Sequence, residues 1–523
     1  MANFLSYFFP TILKDKNDNE KRRAAGEAGA ANPYCMFSAI AAAPITKRFG
    51  RRMSLRIAGL AYLIGALLVG FALNVAMLII GRIVLGIGLG FANGAGPIYL
   101  SEAALPQHRG ACNQTFQLMT TIGILVAGLV NYGTQYMDAP GHVQGYRVSL
   151  GLAAVAGLAL FIGSFVITDT PNSLLSRGHV QEARDALVRL RGMTEVDEEF
   201  DDMRNGIEAA RKSTVSPWRL LFCNKRNRGV VTLMIVIPLA QQMTGINTIM
   251  FFAAQLFQVL GKGASASLLN VVIIGAVNIA ATFVAIFVSD RYGRRPLFLQ
   301  GSGQMIVSFI VVAIVMGLGF NIATGNIPKP DASAIIAFEC LFTSAFAWSW
   351  GPLGWLVPSE IHNIETRSLG MAISTAVNLL FSFVIGQTYL TMLCSMMYGT
   401  YILFAGLVTL FALFVYFLVP ETKGVPQEQM FAVWANHWFW KRRVMTHDEL
   451  AIYERNGILP ADVDSHTLPP AAQGQAETAS TFKANDVVDS INGDDFHDAR
   501  TPNSTVASTD GSSANFSDGT RQV

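Results

Sequence analysis

The sequence predicts an all-α membrane protein: two pseudo-symmetric helix bundles, with about ten full spans plus one short stub. Three observations carry this expectation. Hydrophobic residues make up 51% of the chain and charged ones only 14%, where soluble domains carry about 25% charged residues. The hydrophobic residues gather into runs long enough to cross a bilayer, and mean hydropathy is +0.38. Short acid-and-base signatures recur once in each half of the chain.

A hydrocarbon core of about 30 Å needs roughly 20 apolar residues of helix. The runs that approach or meet this are 57–73, 75–100, 115–137, 148–168, 229–256, 266–289, 296–318, 333–357, 368–393 and 399–419. They form groups of four and six around a polar stretch at 169–228, whose pieces "EARDALVRLRG" and "DEEFDDMRNGIEAARK" read as short amphipathic surface helices. Ahead of the first run lies a stub, "MFSAIAAAPIT" (Met36 to Thr46), which reaches only about 16 Å as helix. After the last run, "QEQMFAVWANHWFWKRR" (427–443) reads as a helical collar at the interface. Residues 455–523, rich in Ser, Thr, Asn, Asp and Gly, are expected to be disordered.

Lysine and arginine set the orientation. "KRFGRR" (47–52), the Arg109 loop, the 169–228 stretch, "DRYGRR" (290–295), the Arg367 loop and "WKRR" (440–443) alternate with connections nearly free of basic residues. The basic side is therefore cytoplasmic. A net charge of +2 gives no reason to expect a nucleic-acid partner, and five scattered cysteines suit neither a disulfide scaffold nor a zinc site. The chain shows no nucleophile–base pair, metal cluster or phosphate loop. No enzyme activity, metal or cofactor is expected.

The repeat is specific. "RFGRR" (Arg48 to Arg52) returns as "RYGRR" (Arg291 to Arg295), "SEAALPQHR" (Ser101 to Arg109) as "SEIHNIETR" (Ser359 to Arg367), and "TDTP" (168–171) has a counterpart in "PETKG" (420–424). Acids and bases at the inner ends of helices can pair across neighbouring spans. If such pairs break as the halves rock, they latch one state. The candidate latch residues are Arg51, Arg52, Glu102, Arg109, Asp290, Arg294, Arg295, Glu360, Arg367 and Glu421. The plainer alternative is that the arginines only mark the inner boundary.

Together with "GRIVLGIGLGFANGAGPIYLSE" (81–102), "FQLMTTIGILVAGLVNY" (116–132), "QQMTGINTIMFFA" (241–253), "AFAWSWGPLGWLVPSE" (345–360) and "VPETKG" (419–424), these signatures make residues 1–440 resemble the sugar porters of the major facilitator superfamily. The resemblance is to the plant and green-algal monosaccharide/proton symporters in particular. It implies the major facilitator fold and a central sugar site opened alternately to either face. It divides the chain into a lid-like external segment (1–35), an incomplete N-terminal bundle (36–168), a cytoplasmic helical linker (169–228), a C-terminal six-helix bundle (229–420), a cytoplasmic helical segment (421–454) and the tail. It also implies that the family's first helix and part of its second are missing from this chain.

A sugar needs neutral amides that donate and accept, with an aromatic platform for its C–H face. By resemblance these fall on Gln117, Gln241, Gln242, Asn247, Asn278, Trp355 and Asn378; hydrogen bonding between helices is the competing explanation for each amide. The breakers in "SWGPLGW" predict a bend at Gly351-Pro352 and Gly354, with Trp355 beside it. The resemblance assigns proton coupling to Arg82 facing an aspartate that this chain lacks, and a disulfide to Cys35 and Cys394. Glu339 departs from the family pattern. Its plainer reading is an acid reaching the outer interface; the sharper one is a substitute proton site near Arg82.

The expected partners are a monosaccharide, a hexose above all, with a proton and the lipid bilayer. The protein is expected to act as a monomer at the plasma membrane. A sugar sensor that does not transport, or an uncoupled uniporter, is the alternative.

Overall fold

The computed structural model describes residues 44–105, 109–134, 145–193, 195–212, 216–250, 264–319, 328–362, 366–423 and 430–445, with residues 40, 425 and 450. All belong to one unit, Met1–Pro460. Among them every regular element is helical: α1 (Arg51–Gly70), α2 (Val75–Ala103), α3 (Arg109–Thr134), α4 (Gly145–Gly151), α5 (Ala153–Val166), α6 (Pro171–Arg177), α7 (Val180–Arg191), α8 (Asp197–Lys212), α9 (Pro217–Cys223), α10 (Arg228–Met243), α11 (Ala264–Tyr292), α12 (Arg294–Gly319), α13 (Lys329–Trp348), α14 (Trp350–Glu360), α15 (Arg367–Met396), α16 (Gly399–Leu418), α17 (Met430–Asn436) and α18 (Lys441–Val444). Ten helical stretches among the described residues are long and apolar enough to cross a membrane.

The first span begins at Arg51, earlier than hydropathy suggests, because its first turn is capped from far along the chain. Asp169 Oδ1 accepts from the backbone N–H of Arg51 (3.1 Å) and of Arg52 (3.4 Å). A helix leaves its first N–H groups unsatisfied and welcomes an anion there, so two arginines can open this helix. Close approach fixes the packing of α1. A Cβ on Gly65 would stand 2.4 Å from the Leu85 backbone nitrogen, and one on Gly88 2.6 Å from that of Tyr62. Gly88 of "GIGLG" thus serves helix contact.

In the C-terminal half one apolar core runs through α10 and α12 to α16, with Phe298, Phe309, Phe342, Trp350 and Phe404 buried in it. Trp350 is locked in place: its indole donates to Ser302 Oγ (2.8 Å) and its ring meets Phe298 edge-on. The polar stretch between the halves folds as α6 to α9 over its own small core, which includes Leu174, Leu187, Val196 and Phe200. Beyond the last span, α17 returns to the bundle. Trp434 fills the space over Gly229, and the Trp440 indole donates to the Leu418 carbonyl (2.7 Å).

The break in the 345–360 segment differs from expectation. α13 stops at Trp348 and α14 starts at Trp350, with Ser349 between them at φ −121°, ψ −94°. Gly351 and Pro352 lie in the first turn of α14, where a proline lacks only an N–H that no helix bond needs. Gly354 leaves room for a neighbour: a Cβ there would stand 2.5 Å from Gln241 Nε2. The glycines therefore mark close approach, and Ser349 carries the bend. Its hydroxyl donates to the Ala345 carbonyl (2.6 Å).

Candidate functional site

The span after the linker carries the first part of the site. α10 ends at Met243, and Gly245, at φ +83°, turns the chain before it resumes as helix through Met250. A side chain here would be strained and would also meet the Phe404 ring at 2.9 Å. The turn places Gln241 and Gln242 on one side of the break and Asn247 on the other, all facing α14 and α15.

Four amides then form one hydrogen-bonded chain. Gln241 Nε2 donates to the carbonyls of Trp350 (3.0 Å) and Gly351 (2.9 Å), in the first turn of α14 just past the break. Asn378 Nδ2 donates to Gln241 Oε1 (2.6 Å), and Gln242 Nε2 donates to Asn378 Oδ1 (2.9 Å). Asn247 Nδ2 donates to Gln242 Oε1 and to Ser382 Oγ (3.0 Å). Ser382 was absent from the sequence-derived candidates, although it lies one helical turn beyond Asn378 on the same face.

The other candidates stand around this chain. Gln117 of α3 brings its amide nitrogen to 3.3 Å from where a Gly351 Cβ would be. Trp355 is half-buried one turn further along α14, its ring edge-on to Phe116 at 5.4 Å. Asn278 of α11 is buried beside Met250, to whose sulfur its Nδ2 donates (3.9 Å), and is outside the amide chain; its Oδ1 has no partner among the described residues. Arg82 is half-buried near the N-terminal end of α2. All but Arg82 are neutral groups that both donate and accept, or an aromatic face. Such a set suits an uncharged solute carrying several hydroxyls and gives an ion nothing to pair with.

The latch candidates form two matching knots at the basic ends of the helices. Arg51 Nη2 meets Glu102 Oε1 at 2.8 Å, and Thr170 Oγ1 donates to Glu102 Oε2 (2.6 Å). Arg294 Nη2 meets Glu360 Oε1 at 2.8 Å, and Thr422 Oγ1 donates to Glu360 Oε2 (2.8 Å). Glu421 accepts from the backbone N–H groups of Arg294 (2.8 Å) and Arg295 (2.9 Å), as Asp169 does in the first half. Among the described residues, Arg52 and Arg295 pair with no acid through their side chains. They donate to the carbonyls of Phe165 (2.5 Å) and Tyr416 (2.7 Å), closing the ends of those helices. Asp169, Thr170 and Thr422 complete the knots and were not among the candidates, though "TDTP" and "PETKG" had already marked their positions.

The two halves touch at this same end. Arg367 Nη2 donates to Ser101 Oγ (2.5 Å), beside Glu102. Asn113 Nδ2 donates to Ser359 Oγ (2.7 Å), and Gln114 Nε2 donates to Ser289 Oγ. The side chains of Arg109, Asp290 and Cys394, and all of Cys35, lie outside the described residues.

Glu339 corrects the plainer expectation. It does not reach an outer interface: it is 1% exposed, in the middle of the buried stripe Ala332, Ile335, Phe342 and Phe346 on α13. Its charged or titratable neighbours are Cys340, Tyr389 and Tyr401.

Residues 1–434 match the family model described as sugar (and other) transporter. Sugar transport protein 10 of Arabidopsis thaliana is 46% identical over 463 residues, which cover 85% of this chain and 87% of that protein. H(+)/hexose cotransporter 2 of Parachlorella kessleri is 45% identical over 461 residues, covering 84% and 83%. The solved structure of the major facilitator proton:xylose symporter XylE bound to 6-bromo-6-deoxy-D-glucose superposes with a TM-score of 0.73 at 24% identity, over 82% of this chain and 93% of that one. That last likeness is one of fold.

Proposed function

Since the chain belongs to the sugar transporter family, we propose that it is a multi-pass membrane carrier that moves a monosaccharide, a hexose above all, together with a proton by alternating access. The observation that supports this most is the uncharged amide chain Gln241–Asn378–Gln242–Asn247, anchored on carbonyls in the first turn of α14 beside the Ser349 break. A sugar hydroxyl can take the place of each amide–amide bond, because it also donates and accepts. Trp355 would supply the apolar face. Gln117 would add a contact from the N-terminal half, and Asn278 one more from the C-terminal half.

In this reading the halves are 36–168 and 229–420, joined by the linker 169–228 and backed by the cytoplasmic segment 421–454. The ion knots keep each half rigid. The bonds of Arg367, Asn113 and Gln114 across the halves are those that must open for the sugar to leave inward. Arg82 is the proposed proton-coupling arginine. We read the protein as a carrier, not an enzyme, acting as a monomer at the plasma membrane.

The test is uptake of labelled hexose into vesicles holding the purified chain, with and without an inward proton gradient. The expected result is uptake that the gradient accelerates. Uptake indifferent to the gradient would make the protein a uniporter, and absence of both hexose binding and uptake would overturn the proposal.

A further inference from the structure

Helix α13 buries one group that the proposed mechanism does not use. Glu339 is 1% exposed, and among the described residues neither of its carboxyl oxygens has a hydrogen-bond partner. One turn on, the fully buried Thr343 hydroxyl is likewise without one. Residues four apart share a helix face, so the unpartnered oxygens line one side of α13.

Among the described residues, the surroundings leave Glu339 no cation to pair with. α13 packs against α11, α12 and α14. The ionisable residues of α11 and α12 are Asp290, Arg291, Tyr292, Arg294 and Arg295, all at their cytoplasmic ends, and α14 has only its terminal Glu360. Within electrostatic reach of Glu339 are the buried phenols of Tyr389 on α15 and Tyr401 on α16, and the neighbouring Cys340. An ionised carboxylate buried without a partner costs far more than a protonated one. The packed state therefore keeps a proton on Glu339.

Tyr389 also links this acid to the amide chain. Its phenol is within hydrogen-bonding reach of Tyr401 and of Thr248, and the Thr248 hydroxyl donates to the Gly245 carbonyl (2.6 Å). Gly245 is the turn that sets Gln242 and Asn247 against each other, and Thr248 directly follows Asn247. A charge appearing at Glu339 would draw the Tyr389 O–H toward it and away from Thr248.

We propose that Glu339 is a proton-binding site of this chain, separate from Arg82, and that its proton sustains the amide site through Tyr389 and Thr248. The coupling half of this proposal rests on the reading that the amides bind sugar; the proton on Glu339 does not.

Two measurements on the purified full chain test it. Infrared spectroscopy at neutral pH should show the C=O stretch of a buried protonated carboxylic acid, lost in Glu339→Gln. Hexose binding, followed by intrinsic tryptophan fluorescence from pH 5 to 9, should weaken in the wild type by about tenfold per pH unit beyond an alkaline inflection. In Glu339→Gln, which mimics the protonated acid, affinity should stay within about twofold across that range. Tyr389→Phe should keep the infrared band yet flatten the pH dependence, and it serves if the glutamine variant does not fold. Absence of the band overturns the proton site. A Glu339→Gln profile that follows the wild type overturns the coupling. A wild type that shows the band but binds no hexose overturns the reading of function and leaves the proton on Glu339 standing.

Discussion

Arg294 stands in the C-terminal half as Arg51 stands in the N-terminal half. Each opens a helix directly after a left-handed glycine, Gly293 at φ +89° and Gly50 at φ +92°. Each has its backbone N–H held by a carboxylate just past the far end of its own half, and each turns its guanidinium to a glutamate that a threonine also holds. The same knot, tied twice, joins three segments of each half at the basic end of the helices.

The glycines make the knots possible. A Cβ on Gly50 would stand 2.0 Å from Asp169 Oδ2, and one on Gly293 2.8 Å from Glu421 Oε2. Left-handed backbone alone costs a non-glycine residue about 1–2 kcal/mol. Gly293→Ala should lose at least that much stability and Gly50→Ala more, read as thermal unfolding of the purified chain in detergent.

Glu360→Ala leaves the Arg294 guanidinium buried beside a Thr422 hydroxyl that has lost its acceptor. Removing one partner of a buried ion pair costs roughly 3–5 kcal/mol. Glu360→Gln, which can still accept from Thr422, should cost less. The order wild type, Glu360→Gln, Glu360→Ala in thermal stability checks this; equal stabilities would show the pair to be idle.

Asn378 is the middle of the amide chain, so Asn378→Ala strands both Gln241 Oε1 and Gln242 Nε2. A stranded buried polar group costs about 1–3 kcal/mol. Hexose affinity should fall on the order of 10–100-fold, with the fold intact by circular dichroism.

Gly354→Ala should act on the same site without replacing an amide, since its Cβ would collide with the Gln241 side chain at 2.5 Å. The expected outcome is a raised KM for hexose uptake, about tenfold or more, at unchanged surface expression. An unchanged KM would mean that Gln241 moves aside without loss.

His362 lies beyond the span that ends at Glu360, fully buried against Gly370. Burial, and then the Arg367 charge beside it, push its imidazole from 6.5 down to about 3. The folded state therefore binds fewer protons than the unfolded one between those values. Stability should be full above pH 6.5 and fall below it, by at most about 1.4 kcal/mol per pH unit. His362→Gln should flatten the thermal stability of the purified chain over that window relative to the wild type.

Hydropathy and motif duplication were enough to locate the spans, the twofold plan and the polar residues worth watching. These are local signals. A backbone in lipid must satisfy its own hydrogen bonds, so an apolar run of the right length has to be helix. The same locality explains where expectation and structure part. Ser349 carries the bend because the adjoining glycines are taken up by contacts with other helices, and hydropathy cannot see Asp169 capping a helix whose start lies more than a hundred residues earlier in the chain.

What the tertiary structure alone decided is which polar groups meet. Asn378 reaches Gln241 across 137 residues, and Asn113 reaches Ser359 across 246. Spacing within one helix says which residues share a face. It does not say what that face meets. For Glu339 the answer was the phenols of Tyr389 and Tyr401, because partners are set by how helices pack and not by the order in which they are written.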